Sequence, residues 1–235
     1  MKPICKSCRS KSLLLITTFL NLQRPLYMRA TINLNTKRFF VATGISLLLA
    51  VVILYLSFAI GRKEFFLLLN TDLGSAVDLF FQYFTFMGDG ILWVLWLIWI
   101  FRTKRKQLLP LILASFALTT IFTQVFKYFI LPDELRPSKA FDDLSQVHFV
   151  QGVTVHATSS FPSGHTATAF TFVLLFALTV KRVDTLVLAF IVAVLVGYSR
   201  VYLGQHFPLD LGGGIIVAIF SVSLAYVVQK RYGGG

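Results

Sequence analysis

Residues Ser159 to Val180 read SSFPSGHTATAFTFVLLFALTV. The second half of this stretch is apolar enough for the interior of a bilayer. The first half puts Pro162, Ser163, Gly164 and His165 at the mouth of the same segment. Polar and ionisable groups at membrane depth are costly and default to a functional role. The stretch therefore reads as one span of a membrane bundle, with chemistry at the end where it begins.

The rest of the chain agrees. Its 235 residues are 56% hydrophobic, with 24 phenylalanines, and the mean hydropathy is +0.76. That is too apolar for an ordinary soluble domain. A bilayer core needs about 20 mostly apolar residues per helix. Six stretches qualify: Phe39–Ile60, Leu79–Phe101, Leu108–Leu131, Phe161–Val180, Thr185–Leu203 and Leu209–Val228. The expected fold is all-α, a polytopic bundle of six transmembrane helices over residues 36–232, preceded by a tail over residues 1–35. No repeat, low-complexity region or separate soluble domain is visible.

Within the tail, Ser12–Leu20 (SLLLITTFL) is too short to span and has basic flanks. It mimics a signal-peptide core, but no A-x-A-like cleavage site follows. It reads as an interfacial segment, or as sequence upstream of a true start at Met28. Cys5 and Cys8 form a lone C-x-x-C with no second pair and no nearby histidine, a weak zinc or redox signal. The closing Gly233–Gly235 has no chemical reading.

The net charge is +12, from 22 Lys and Arg against 10 Asp and Glu. Nucleic acid is a poor partner for it, because the basic residues fall in short clusters between apolar runs, as in membrane loops. Taking the loops alternately, one side holds ten Lys and Arg, in clusters such as Arg102–Gln107 (RTKRKQ), and the other holds six. The positive-inside rule puts the first side, and both termini, in the cytoplasm. The opposite side carries the longest loop, Pro132 to Ser160.

The costly polar residues collect on that outer side. Lys127 ends the third span and Arg136 follows it. Ser163, Gly164 and His165 open the fourth. Arg200 ends the fifth, and His206 and Asp210 open the sixth. A polyoxygen anion, above all a phosphate, suits this set. Arg offers a planar fork, Lys a compact charge, and a helix N-terminus unpaired N–H groups and a positive dipole end. Pro162 is compatible with a helix start, Gly164 lets a ligand approach the backbone, and Ser163 caps the helix or donates to an oxyanion. His206 and Asp210 are four apart and share a face if helical. A carboxylate on one ring nitrogen leaves the other free as nucleophile or base. His165, with no carboxylate near in sequence, suits the general acid.

These blocks resemble the type 2 phosphatidic acid phosphatase superfamily. Its signature is Lys-x6-Arg-Pro, then Pro-Ser-Gly-His, then Ser-Arg-x5-His-x3-Asp. Pro162–His165 matches the second block. Ser199-Arg200, five residues, His206, three residues and Asp210 match the third. The first block departs: Lys127 and Arg136-Pro137 are separated by eight residues, two more than the pattern. The resemblance covers roughly Leu79 to Val228. It implies an integral membrane hydrolase in which His206 attacks phosphorus, Asp210 holds His206, and His165 protonates the leaving oxygen. Lys127, Arg136, Arg200 and the Ser163–Gly164 region would bind the phosphoryl oxygens. It implies no metal and no cofactor, in keeping with the lack of a carboxylate cluster suited to magnesium. The substrate class is a membrane lipid phosphate or diphosphate, such as undecaprenyl diphosphate, phosphatidylglycerol phosphate, phosphatidate or a lipid A phosphate. In a bacterium the site would face the periplasm from the inner membrane.

Several residues stay open at this level. Lys127 and Arg200, each alone, read equally well as snorkelling cations. His148 and His156 read as solvated loop residues, and a zinc site with His165 and His206 is the sharper alternative, although the spacing fits no metal motif. Asp89, between two glycines inside an apparent span, either lines the substrate path or marks a break where the carboxylate reaches water. Gly212–Gly214 suggests close helix packing. Residues 62–81 read as a connecting helix or an interfacial helix that guides a lipid sideways. The rival functions are a phosphate-binding transporter without hydrolysis, a vanadate enzyme and a zinc hydrolase.

Overall fold

A computed structural model describes residues 34–233, and among them all regular structure is helical. The tail segment Ser12–Leu20, Met28, the Cys5/Cys8 pair and the last two glycines lie outside the described residues.

Helix α1, Thr36–Ala59, starts at Asn35, whose side chain accepts from the Arg38 N–H at 3.1 Å. Two short helices follow, α2 (Arg62–Leu69) and α3 (Ser75–Phe84). The connection read as one helix is thus interrupted at Asn70–Gly74. A 3-10 turn, Thr85–Gly88, leads from α3 to α4 (Ile91–Arg102). Helix α5 (Leu109–Val125) is followed by a π-helical turn, Phe126–Ile130. The outer loop contains the single turn α6 (Pro137–Ala140). The bundle closes with α7 (Gly164–Thr179), α8 (Val183–Tyr202) and α9 (Pro208–Gly233).

Four helical segments are long and apolar enough to cross a membrane: Thr36–Ala59, Lys106–Ile130, Val183–Tyr202 and Pro208–Arg231. There are five if Ser75–Gly88 and Ile91–Arg102 count as one broken span, bent by 53°. Two of the expected spans therefore differ from their reading. The run Leu79–Phe101 is not one helix, because Asp89 adopts an extended backbone (φ −87°, ψ 173°) that interrupts the helical hydrogen-bond ladder. The stretch that opened the sequence reading is a helix of only 16 residues, about 24 Å at 1.5 Å per residue. It is nonetheless the most enclosed helix, with Ala167, Phe170, Val173, Leu174 and Leu178 all buried. A helix that is apolar all round belongs in the centre of a bundle, and protein rather than lipid surrounds this one.

Helix α9 packs along α5, α7 and α1, and α7 packs along α8. Towards one end, Trp93, Trp96 and Phe172 fill the core beside Leu174 and Leu178. Midway, Phe170, Val173, Val196 and Ile215 meet. Towards the other end, Phe66 and Phe207 stack edge-on beneath the outer loop. Arg105 and Arg38 donate to the carbonyls of Thr179 and Val180 at 3.3 Å each, so basic side chains satisfy and complement the C-terminal end of α7.

Close packing at the other end of α7 depends on Gly214. A Cβ there would lie 2.7 Å from the Ser163 carbonyl oxygen and 3.1 Å from the Ala167 nitrogen. Neither backbone group can yield without shifting the start of α7. Gly214→Ala is expected to cost roughly 1–3 kcal/mol, as overpacking does, and to appear as a lower Tm in detergent with reduced activity.

Candidate active site

The ends of α5, α7, α8 and α9 and the outer loop converge at one end of the bundle. Asp210, in the first turn of α9, is fully buried. Its Oδ2 accepts from Ser160 Oγ at 2.5 Å and from the Phe207 N–H at 3.0 Å, and lies 3.2 Å from His206 Nδ1. Its Oδ1 has no hydrogen-bond partner, and Arg62 Nη2 stands 3.8 Å away. The Asp210 carbonyl accepts from the Ser163 N–H at 2.9 Å, which locks the start of α7 to the start of α9. With Asp210 facing Nδ1, the network assigns the proton to that nitrogen and leaves the Nε2 lone pair free.

His206 itself is held by the end of α8. The N–H groups of Gln205 and His206 both donate to the Arg200 carbonyl, at 2.9 and 3.1 Å. The imidazole lies between the spans and is almost wholly buried. Burial drives its pKa well below the usual 6.5, and the positive charges of Arg136, Lys127, Arg200 and His165 push the same way. The sign is plain: a lowered pKa keeps the ring neutral at pH 6.5, where a free imidazole is half protonated. Nitrogen-15 histidine NMR on the unliganded protein should show His206 neutral at that pH, and a half-protonated signal would contradict the arrangement.

The cations are each positioned by a different element. Arg136, only 6% exposed, donates Nε to Thr158 O at 3.0 Å, Nη1 to Gln205 O at 3.1 Å and Nη2 to Ser159 O at 3.4 Å. Burial lowers its pKa, and the Asp210 carboxylate opposes that. Arg200 donates Nη1 to Thr85 Oγ1 at 2.7 Å, while its Nε is buried with no partner. Lys127 lies half-buried in the π-helical turn after α5. Such turns recur at functional sites, and here one occupies part of the long spacing between Lys127 and Arg136.

Ser163 is the N-cap of α7. Its Oγ accepts from the Thr166 N–H at 3.4 Å and the Thr166 hydroxyl at 2.9 Å. The helix begins two residues later than a proline at its first position suggests, with Pro162 outside the cap and Gly164 at the first helical position. The first N–H groups of a helix have no intrahelical acceptor, so those of Gly164 and His165 are available to an anion. A Cβ on Gly164 would meet only Thr123 Cγ2, at 3.7 Å.

His165 does have a carboxylate partner, contrary to what its sequence neighbourhood suggests. Asp89 Oδ1 lies 2.8 Å from His165 Nε2. The break at Gly88–Gly90 brings it there. A Cβ on Gly88 would sit 2.8 Å from His165 Cβ and 2.7 Å from Val196 Cγ1, so the chain can pass this close only as glycine.

The other histidines do not join the site as a ligand set. His148 is half-buried rather than a freely solvated loop residue: its Nε2 is 2.9 Å from Asp78 Oδ1, and its N–H donates to Asn70 Oδ1 at 2.8 Å. Asp78 also accepts from the Tyr202 hydroxyl at 2.6 Å. Among the described residues, the His, Cys and acidic groups close enough to share a cation are Asp72, Asp78 and His148, not the four histidines together. His156 is exposed on the outer loop, its pKa lowered by partial desolvation and then by the charges of Arg136, Lys127 and Arg200.

A profile of the PAP2 superfamily matches residues 108–233, more than half of the chain. The chain belongs to the PAP2 superfamily. The matched region holds every site residue read from the sequence, from Lys127 to Asp210. An undecaprenyl-diphosphatase of Sulfolobus acidocaldarius is 29% identical over 169 residues, which is 71% of this PAP2 chain and 78% of that protein. YbjG of Escherichia coli K12, named as a candidate undecaprenyl-diphosphatase, is 39% identical over 77 residues. That match spans 33% of this chain and 38% of YbjG, little more than a third of the relative. Among solved structures, LpxE of Aquifex aeolicus aligns with a TM-score of 0.61 at 29% identity, covering 71% of this chain and 94% of that one. The PAP2-type phosphatidylglycerolphosphate phosphatase of Bacillus subtilis aligns at 0.54 over 83% of this chain and 96% of that one; at 23% identity it speaks for the fold. This PAP2 chain is thus a multi-pass membrane protein, all-helical over its described residues.

Sequence reasoning missed the supports of the site: Thr85 on Arg200, Ser160 on Asp210, the Gln205 carbonyl on Arg136, and Arg62 near Asp210. Only Asp89 left a local trace, a carboxylate flanked by glycines in an apolar run.

Proposed function

We propose that this PAP2 protein is an integral membrane phosphatase that cleaves a lipid phosphate or diphosphate through a phosphohistidine on His206. The observation that carries the reading is the buried His206–Asp210 pair at 3.2 Å, whose imidazole feels the charges of Arg136, Lys127 and Arg200 at once.

In the proposed reaction, His206 Nε2 forms a bond to phosphorus and the bond from phosphorus to the leaving oxygen breaks. His165 gives its proton to that oxygen. Asp210 holds Nδ1–H and stabilises the charge that develops on the ring. Lys127, Arg136, Arg200 and the N–H groups of Gly164 and His165 bind the three equatorial oxygens, where preorganised donors do most of the work in phosphoryl transfer. His165, now neutral, then takes a proton from water. The water oxygen attacks phosphorus, and the P–N electron pair returns to His206. Asp89 orients His165 in both halves.

The charge asymmetry of the loops supports a bundle of six crossings, with α7 as the short central one. Both termini would lie in the cytoplasm, and in a bacterium the site would lie at the periplasmic face of the inner membrane. The names of the relatives favour undecaprenyl diphosphate within the lipid phosphate class. No metal is needed, because the protein supplies the positive charge. The purified protein should release phosphate from a panel of lipid phosphates and diphosphates, undiminished by EDTA. Loss of release in EDTA would contradict the metal-independent route, and no release from any lipid by folded protein would favour binding or transport without hydrolysis.

A further inference from the structure

The two oxygens of Asp210 are held differently. Oδ2 takes the contacts from His206, Ser160 and Phe207. Oδ1 is buried with no hydrogen-bond partner, and the cation beside it is Arg62, whose Nη2 stands 3.8 Å away. An ionised carboxylate out of water needs a compensating charge. Arg62 opens α2 and lies outside the residues that the family profile matches. Three contacts fix its guanidinium: Nη1 donates to Glu134 Oε1, Nη2 donates to the Leu135 carbonyl at 3.1 Å, and Cζ lies 4.1 Å from the centre of the Phe207 ring. Glu134 continues the circuit. Its carbonyl accepts from the Ser160 N–H at 3.0 Å, and the Ser160 hydroxyl donates to Asp210 at 2.5 Å. Phe207 follows His206, and Glu134 closely precedes Arg136. One guanidinium thus touches both the turn that carries His206 and the loop that carries Arg136.

We propose that Arg62 is a positioning residue of the reaction, acting through Asp210, and that Glu134 sets how much of its charge the His206–Asp210 pair feels. The inference rests on the phosphohistidine reading above. When His206 attacks, its ring becomes cationic, and an ionised Asp210 stabilises it. Arg62 favours that ionised state from the oxygen that His206 leaves untouched. Lys127 and Arg136 also act on the Asp210 charge, and Arg200 and His165 join them in acting on His206. In the proposed reaction those four groups face the phosphoryl group, so the substrate shares their charge. Arg62 is engaged by Glu134 and Leu135 instead, and its effect on Asp210 persists when a phosphate is bound. The Glu134 carboxylate opposes that effect without removing it. The pair is therefore a charge balance as well as a tie between two loops.

Charge and tie separate in the pH profile of kcat/KM, which reports the free protein. It is measured for p-nitrophenyl phosphate and dioleoyl phosphatidate in the same detergent. Arg62→Met removes a cation, which favours a proton on Asp210 and on His206 alike. Whichever of this coupled pair titrates first, the acid limb should move to higher pH, by about one unit. Below the limb kcat/KM should fall about tenfold, and raising the pH should restore it. Glu134→Gln removes an anion from the same ion pair and should move the limb the other way, while Arg62→Lys should keep the wild-type limb. The substrates ionise alike in every assay, so the differences belong to the protein. Limbs that coincide in Arg62→Met, Glu134→Gln and wild type, or that shift in the same direction, would reduce Arg62 to a tie between loops and overturn the assignment. If Arg62→Met fails to fold, Glu134→Gln decides alone, because loss of a tie lowers activity at every pH and does not extend it into acid. Wild-type protein inert towards both substrates, or His206→Ala protein as active as wild type, would instead sink the phosphohistidine reading, and this inference with it.

Discussion

His206→Ala protein should release phosphate from its preferred lipid at least about 10⁴-fold more slowly than wild type, the scale on which removal of a nucleophile acts. The expectation follows from position. His206 is held by Asp210 on one ring nitrogen and by its own backbone N–H on the Arg200 carbonyl. Among the described imidazoles it is the one held by a fully buried carboxylate, and it feels the charges of Arg136, Lys127 and Arg200. Alanine removes the attacking atom without touching the cations, so the variant should still bind a lipid phosphate. Initial rates beside an equilibrium binding measurement separate the two effects. A variant that binds and still turns over at near wild-type rate would remove His206 from the chemistry.

His165→Ala should lose about 10²- to 10⁴-fold on alkyl phosphate substrates, the range general acid catalysis supplies. It should lose far less on p-nitrophenyl phosphate, whose leaving group departs without a proton. This dependence on leaving group distinguishes an acid from a residue that merely binds phosphate, which would affect both esters equally. Asp89→Asn should show the same pattern with a smaller loss, because its amide keeps the contact at 2.8 Å but not the charge that stabilises imidazolium. Equal losses on both esters would make His165 a binding group and Asp89 a structural one.

Much of this site was visible in the sequence because helix ends announce themselves. Ser163, Arg200, His206 and Asp210 each sit where an apolar run starts or stops, and their short spacings fix which of them share a turn. Lys127 and Arg136 were visible for the same reason. The Asp89–His165 contact was not, since it joins two distant elements and depends on a kink that hydropathy averages away. The apolar run from Leu79 to Phe101 looked continuous because two glycines and one carboxylate hardly lower its mean hydropathy, yet together they bend it by 53°. The short central helix α7 looked like any other span, because composition cannot tell a neighbouring helix from a lipid tail. His148 looked solvated because its partners, Asp78 and Asn70, are 70 and 78 residues away in the chain.

The measurement that bears most directly on the whole account is a rapid acid-free quench of the protein during turnover of a ³²P-labelled lipid phosphate in the presence of EDTA. The account predicts a label on the protein that is stable to base, lost in acid, mapped to the peptide containing His206, and absent from the His206→Ala variant. Steady turnover with no labelled protein at any quench time, or a label that persists in the His206→Ala variant, would contradict it.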